Sequence, residues 1–264
     1  MLLILLTIGA YATAAGESQS LAVEPNGSAN DAGTAGTAGG TATAGASSSG
    51  ALLSLAPGVR RVVLELGSND TPLIPTDDDA LTLAFEPMLD VAARIARHPR
   101  VRVVPAAVSA DGRGGLATMR QYNEGSVSSS LTAPAARASW NDDASRGDGS
   151  AHVVPLLPLA QVLGSLPHGV ELSLIKTDMQ GADFGALRSV GRAALRRAQW
   201  LWTEMWVDNV RTYAGADNDF CRDYLPLMRA WGFKLVQLKC EGFEVPTCGI
   251  HLHLHLAAFF GSGF

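Results

Sequence analysis

The chain has 264 residues, of which 47% are apolar, and a formal net charge of −5 at pH 7. This length and apolar fraction suffice for one substantial hydrophobic core, with residues left over for tails. Binding to nucleic acid or to an anionic membrane surface requires a basic face, which this acidic balance does not favour. We therefore expect no nucleic-acid partner.

The first 15 residues have the pattern of a targeting segment. Residues 2–10 are predominantly apolar, and the small residues 12–15 follow them as an A-x-A-like cleavage site would. Crossing a bilayer takes about 20 apolar residues, so we expect no stable membrane span. We predict a signal peptide or short anchor at residues 1–15 and a secretory location, lumenal or secreted. Because this stretch lacks Lys and Arg, a mispredicted start or disordered tail is the alternative.

Residues 16–50 are predicted to be a disordered linker, and residues 51–264 to form the folded domain. The linker is built from Gly, Ala, Ser and Thr and has almost no large apolar side chain. Such a segment cannot bury enough surface to offset the entropy that ordering would cost.

From residue 51 onward, apolar runs alternate with stretches of helical periodicity. Strands are predicted at 61–66, 81–86, 101–106, 152–156, 171–177, 199–205, 233–238 and 250–257, and helices at 88–97, 158–166, 182–195 and 219–231. This alternation predicts an α/β fold with a Rossmann-like, doubly wound, mostly parallel sheet. Residues 110–151, rich in Gly, Ser, Asp and Ala, interrupt the alternation and are predicted to be a long irregular insertion.

The ends of the first two predicted strands carry the most informative residues. Gly67 follows the first strand, and Glu86 follows the second, 19 residues later. In a parallel α/β sheet, ligands bind beyond the carboxyl ends of the strands. A glycine there lets the backbone approach a ligand, and a carboxylate about 20 residues later can accept hydrogen bonds from a ribose diol. The pair predicts an adenosine-type cofactor; the alternative is that Glu65 and Glu86 merely end strands in solvent.

The residues after Gly67 indicate which cofactor is bound. A pyrophosphate site uses the pattern G-x-G-x-x-G, and residues 68–72 contain no further glycine. Asp70 and the acids at residues 77–79 would also repel a diphosphate. S-adenosylmethionine has a ribose and an adenine but no phosphate, and it fits this pattern better than a nicotinamide dinucleotide. A nicotinamide-dependent oxidoreductase is the less favoured alternative.

Five segments between residues 61 and 207 carry a resemblance to a known family. They are Leu64-Glu65-Leu66-Gly67-Ser68-Asn69, Phe85-Glu86-Pro87, Val103-Val104-Pro105-Ala106-Ala107-Val108-Ser109, Gly125-Ser126-Val127-Ser128-Ser129-Ser130-Leu131 and Leu174-Ile175-Lys176-Thr177-Asp178-Met179-Gln180-Gly181-Ala182-Asp183. In order and spacing these segments resemble the FkbM family of S-adenosylmethionine-dependent methyltransferases. The resemblance implies a sheet of the class I methyltransferase type.

The resemblance also implies an activity and a site. The activity is O-methylation of a hydroxyl on a sugar or small metabolite, with a small molecule or glycan as acceptor. The predicted cofactor-binding residues are Glu65, Gly67, Ser68, Asn69, Glu86 and Ala107, and the predicted catalytic residues are Asp178 and Lys176. Lys176 and Asp178 share one face of a strand and could form an ion pair. An alternative role for Asp178 is to cap the following helix.

The chain departs from the family pattern at several positions. The family has aspartate at Glu65, a third glycine within residues 71–73, and glutamate at both Gln180 and Asp183. Residues 71–80 contain two prolines and are too few for an ordinary crossover helix, so we expect that helix to be clipped or replaced by a loop. These departures motivate a second hypothesis, a secreted or lumenal binding module on a catalytically degenerate methyltransferase fold.

Histidines and cysteines near the C-terminus suggest no further chemistry. His251, His253 and His255 alternate with leucines, which predicts a solvent-facing row of imidazoles on one strand, and we predict no metal site. In an oxidising compartment, Cys240 and Cys248 could form a disulfide that leaves Cys221 free. In the cytosol, all three would be buried thiols.

Overall fold

The computed structural model describes residues 54–122, 129–133, 150–206, 213–240 and 255–262, all within one unit that extends from Ser48 to Phe264. Its strands are β1 Arg61–Leu66, β2 Ala80–Phe85, β3 Val101–Val104, β4 Ala107–Val108, β5 Gly115–Arg120, β6 Ala151–Leu157, β7 Glu171–Thr177, β8 Ala198–Trp206, β9 Phe233–Cys240 and β10 His255–Ser262. Its helices are α1 Leu89–Arg94, α2 Leu159–Gly164, α3 Asp183–Leu195 and α4 Leu225–Ala230, with a π-helical turn at Phe220–Tyr224 before α4.

Seven strands form the main sheet in the order β3-β2-β1-β7-β8-β10-β9. The first five of these run parallel, and β10 lies antiparallel to both of its neighbours. The α/β class and the mostly parallel sheet predicted from the sequence are therefore confirmed. The chain proceeds outward from β1 to β3 on one side and continues with β7 on the other side of β1. The carboxyl ends of β1 and β7 thus form the switch point at which ligands bind in such sheets.

Burial explains why these segments become central strands. Val62, Leu64 and Leu66 of β1 are fully buried, and every residue of β2 is buried. Strands covered on both faces have continuous apolar runs of this kind, because helices shield each face of a parallel sheet. The covering helices add their own apolar faces to the same core, in particular Leu159, Val162 and Leu163 of α2 and Phe184, Ala186, Leu187 and Leu195 of α3.

The connection between β1 and β2, residues 67–79, contains no helix, as the sequence predicted. Its acidic residues 77–79 lie at the amino ends of the strands, where Asp77 and Asp79 form ion pairs with Arg61, and Asp78 forms one with Arg100. The expectation that residues 77–79 would repel a diphosphate at the ligand site is therefore wrong. They lie at the end of the strands opposite to the switch point.

Three further strands form a second sheet in the order β4-β6-β5. Its first strand, β4, follows β3 of the main sheet along the chain. It corrects the expectation that residues 110–151 are wholly irregular, because β5 pairs antiparallel with β6 over its full length. Only Met119 of β5 is buried, so the sequence carries no alternating apolar signal there. Met119 belongs to a small core with Met88, Val91, Ala107 and Val154.

The cysteine pairing differs from the one predicted. Cys221 is disulfide-bonded, so the proposed Cys240–Cys248 pairing with a free Cys221 is wrong. Strand β10 begins at His255, and His251 and His253 lie outside the described residues, as does Cys248. In the part of the chain that the structure describes, no helix has the length and apolar character needed to cross a membrane.

Candidate functional site

A cleft of about 120 Å³ lies beyond the carboxyl ends of β1, β2 and β7, at the switch point of the sheet. Its lining comprises Gly67, Asn69, Phe85, Glu86, Pro87, Ala106, Ala107, Val108, Met119, Ser129, Leu131, Asp178, Met179, Gln180 and Ala182. The structure thus brings together five of the eight residues predicted for the site, namely Gly67, Asn69, Glu86, Ala107 and Asp178. The enclosed volume is below the roughly 300–1,000 Å³ of pockets for drug-sized ligands. A nucleoside-sized ligand would therefore also occupy the open side of the cleft.

Glu86 is held rigidly at the end of β2. Only 6% of its surface is exposed, and burial raises the pKa of its carboxyl group although two backbone N–H groups oppose that shift. The N–H of Asn69 donates to Oε2 at 3.0 Å, and the N–H of Met88 donates to Oε1 at 2.9 Å. A carboxylate has about four lone-pair sites, so with respect to the described residues one acceptor site on each oxygen stays available to a ligand.

A glycine is needed at position 67 because the chain after β1 lies very close to the backbone that follows β7. Its φ is +81°, and a Cβ added there would lie 2.0 Å from the carbonyl oxygen of Asp178. The N–H of Asp178 donates to the carbonyl oxygen of Leu66 at 2.9 Å, which continues the pairing of β1 with β7 to this point. The glycine therefore lets the backbone of Asp178, rather than a ligand alone, come close to β1.

The side chain of Asp183 holds the loop that carries Asp178 through two hydrogen bonds. This fully buried carboxylate accepts from the N–H of Met179 at 2.9 Å and from the N–H of Gly181 at 3.2 Å. Burial raises the pKa of Asp183 to about 6, with a further contribution from the charge of Asp178. The N-cap residue of α3 is Ala182, so the alternative that Asp178 caps this helix is wrong.

Gln180 links the cleft to half-buried carboxylates and to the buried Tyr213. Its φ is +52°, and its amide nitrogen donates to Oδ1 of Asp178 at 2.8 Å and approaches Oε2 of Glu204 at 3.5 Å. Its amide oxygen accepts from the hydroxyl of Tyr213 at 2.6 Å. Burial and the charges of Glu204 and Asp178 raise the pKa of Tyr213, so this phenol keeps its proton and fixes the orientation of the amide.

Three predicted site residues lie outside the cleft lining. Glu65 is fully buried, and its Oε1 accepts from Nζ of Lys176 at 2.6 Å, while its Oε2 accepts from the N–H of Leu73. Burial raises the pKa of Glu65, and the charge of Lys176 opposes that shift. The expected ion pair of Lys176 with Asp178 is therefore replaced by one with Glu65 on the neighbouring strand. Ser68 is buried beside the loop, and its hydroxyl faces the carbonyl oxygen of Asn69.

The electrostatics of the cleft restrict what it can bind. Two carboxylates line it, those of Glu86 and Asp178, and the described residues that line it include no Lys or Arg. Such a cleft favours a neutral or cationic ligand and disfavours a phosphate, because like charges repel strongly where water is excluded. No group of three or more His, Cys, Asp or Glu side chains suited to a metal ion occurs in the described ranges.

Several residues that line the cleft were not predicted from the sequence as site residues. Met119, Ser129 and Leu131 reach it from the region predicted to be irregular, and Gln180 was noted only for its lost charge. The serine-rich segment quoted for the family resemblance was the signal that could have identified Ser129.

Comparison of the chain with protein-family models, with curated proteins and with solved structures finds no match. The resemblance to the FkbM family therefore stands on the five sequence segments alone.

Proposed function

We propose that the chain is an S-adenosylmethionine-dependent methyltransferase that acts on a hydroxyl group. The observation that carries this proposal is the position of Glu86 at the switch point of a parallel sheet. It is a buried carboxylate, and among the described residues each of its oxygens accepts a single hydrogen bond. The switch point is where a ribose diol would be held. A five-stranded parallel core extended by an antiparallel pair is consistent with the class I methyltransferase type.

The charge of the cleft supports the choice of cofactor. A cleft with two carboxylates and no cation in its described lining suits a sulfonium, which carries a positive charge, better than a dinucleotide diphosphate. Ala106 and Ala107 extend the lining toward β3, where small side chains leave space for a flat ring. Gly67 and Asn69 would lie along the cofactor between these positions and Asp178.

S-adenosylmethionine supplies a methyl group on a positively charged sulfur when it is bound. Methyl transfer is an in-line displacement, so most of its acceleration comes from positioning and exclusion of water. Asp178 is the residue of this chain best placed to accept the proton of an acceptor hydroxyl. Its Oδ1 is engaged by Gln180, and its Oδ2 has no hydrogen-bond partner among the described residues. Lys176 forms an ion pair with Glu65 between the paired strands β7 and β1, two residues before Asp178. It is therefore a positioning residue.

Calorimetric titration of the full chain with S-adenosylmethionine and S-adenosylhomocysteine tests the proposal. We expect binding of both by the wild type and loss of at least tenfold in affinity for Glu86→Gln, which keeps the side-chain shape but removes one carboxylate oxygen. Glu86→Ala should bind neither ligand. Because Glu86 accepts two backbone N–H groups, circular dichroism must show that each variant is folded.

Asp90→Asn is the matched control, since this exposed acid lies on α1 and pairs only with Arg94 among the described residues. It should bind both ligands as the wild type does. Equal affinity of the wild type and both Glu86 variants would refute the assignment of Glu86. Competition by NAD, with none by S-adenosylhomocysteine, would favour the oxidoreductase alternative.

A binding module on a degenerate methyltransferase fold is the second candidate. It is favoured by the absence of a helix in residues 67–79 and by the small enclosed volume of the cleft. It predicts a folded wild-type chain with no measurable affinity for either cofactor form, and the same titration therefore distinguishes the two candidates.

A further inference from the structure

Ser129 presents a polar group to the cleft that nothing in the described protein satisfies. The residue is 4% exposed, and its hydroxyl has no hydrogen-bond partner among the described residues. Leaving a buried hydroxyl unpaired costs free energy, so such a group in a cleft points to a ligand that completes it. Ser109 and Thr82 also have unpaired buried hydroxyls, but neither belongs to the described lining of the cleft.

The neighbouring residue fixes which end of the cleft Ser129 occupies. The hydroxyl of Ser130 donates to the backbone carbonyl oxygen of Gln180 at 2.8 Å. This bond ties the Ser129–Ser130 segment to the loop after β7, which carries Asp178 and Gln180. Ser129 therefore belongs to the β7 side of the cleft, whereas Glu86 belongs to the β2 side.

The order of the strands then gives the direction of a bound cofactor. Strands β2, β1 and β7 are consecutive in the sheet, so their ends place Glu86, Gly67 and Asp178 in that order. The small lining residues Ala106 and Ala107 leave space for the adenine on the β3 side of Glu86, so a cofactor whose ribose lies on Glu86 extends its amino-acid end toward β7. Ser129 is then beside the amino-acid end.

We propose that the hydroxyl of Ser129 donates a hydrogen bond to the α-carboxylate of the cofactor's amino-acid end. The inference rests on the proposed function and adds a binding residue to the same site. No Lys or Arg occurs among the described lining residues to pair with this carboxylate, and residues 67–79 offer no helix N-terminus that could bind it. A buried hydroxyl donor supplies part of what that missing helix would provide.

Two ligands that differ only at the amino-acid end test the assignment. S-adenosylhomocysteine carries the amino acid, and 5′-methylthioadenosine carries the same nucleoside without it. For Ser129→Ala in the full chain, we expect about tenfold weaker binding of S-adenosylhomocysteine, as for loss of a hydrogen bond to a charged group. The affinity for 5′-methylthioadenosine should be unchanged, and the thermal midpoint of the free protein should not fall.

The controls separate this assignment from the proposed function. Ser109→Ala removes an unpaired buried hydroxyl outside the described lining and should alter neither affinity, whereas Glu86→Gln should weaken both. Equal weakening of both ligands by Ser129→Ala, weakening of neither, or a lowered thermal midpoint overturns the role of Ser129 and leaves the cofactor assignment standing. If the folded wild type binds neither ligand, the proposed function fails and the assignment of Ser129 fails with it.

Discussion

The amide nitrogen of Gln180 donates a hydrogen bond of 2.8 Å to the carboxylate of Asp178 at the end of the cleft. The amide oxygen of Gln180 accepts a hydrogen bond from the hydroxyl of Tyr213, and the amide nitrogen also faces the carboxylate of Glu204. The amide thus places its acceptor against a phenol and its donor against carboxylates. A glutamate at this position could still accept from Tyr213, but it would add a negative charge beside two others. The loss of charge at Gln180 therefore has a local electrostatic reason.

Replacing Gln180 should reveal this arrangement through the pH dependence of stability. Gln180→Glu is expected to lower the free energy of unfolding by about 1–3 kcal/mol at pH 7, since it replaces a hydrogen bond by like-charge repulsion. The deficit should shrink toward pH 5, because like-charge repulsion raises the pKa of the introduced glutamate and protonation of that group relieves the repulsion. Gln180→Met, the control, loses the hydrogen bonds without adding charge, so its deficit should be the same at both pH values. Urea denaturation at pH 5 and pH 7 measures the difference, and an equal pH dependence of the two variants would contradict the account.

The buried pair of Glu65 and Lys176 gives a second prediction. Lys176→Met leaves a buried carboxylate without its counter-charge and should lower the free energy of unfolding by about 3 kcal/mol. The double variant Glu65→Gln with Lys176→Met removes both charges and should recover a large part of that loss. Chemical denaturation of the four proteins in this double-mutant cycle measures the coupling. Strictly additive effects would show that the two side chains do not interact.

Gly67 allows a steric prediction with an internal control. Gly67→Ala places a methyl group 2.0 Å from the carbonyl oxygen of Asp178, so β1 and β7 must separate at their ends. Gly169 has a similar φ of +84°, but a Cβ there meets nothing within 4 Å. Gly169→Ala should therefore lower the free energy of unfolding by only about 1–2 kcal/mol, through backbone strain.

Thermal or urea unfolding measures how much more the free energy of unfolding falls in Gly67→Ala than in Gly169→Ala. This difference reports the close contact between the ends of β1 and β7. We expect this difference to exceed about 2 kcal/mol, as for overpacking at a site that cannot relax freely. Similar losses in the two variants would mean that Gly67 serves the turn alone.

Asp183 determines the sign of a further pH effect. Its pKa in the folded protein is about 6, above its ordinary value of 3.8, because burial disfavours the charged form. The folded state therefore binds this proton more tightly than the unfolded state does. The stabilisation from this group is fully present below about pH 4 and is lost as pH rises through about 6.

Asp183→Asn removes the titrating group and tests that sign. Other acids titrate in both proteins, so the readout is the unfolding free energy of the wild type minus that of Asp183→Asn, measured between pH 4 and pH 7. We expect this difference to fall as pH rises through the window and to level off above it. A difference that rises with pH would mean that the folded state lowers the pKa of Asp183.

Local sequence was sufficient to locate the elements around the switch point. The bounds predicted for β1 and β7 coincide with those observed. In both strands β-branched and leucine side chains predominate, and in β7 the buried residues Leu172, Ile175 and Thr177 lie among half-buried ones. The carboxylate after β2 was likewise identified from its position, since the carboxyl end of a parallel strand lies at the ligand edge. Strand β5 was missed because its pairing with β6 leaves only Met119 buried.

The partners of the charged groups were decided by tertiary structure alone. Glu65 and Lys176 are 111 residues apart, and only the pairing of β1 with β7 brings their side chains within 2.6 Å. Period-two spacing placed Lys176 on the same strand face as Asp178, but it could not show that a nearer, more deeply buried carboxylate competes for the ammonium group. The sequence by itself thus determined the central parallel strands and the edge at which the cleft lies. The fold decided which acids face the cleft, because burial and charge pairing depend on neighbours from distant parts of the chain.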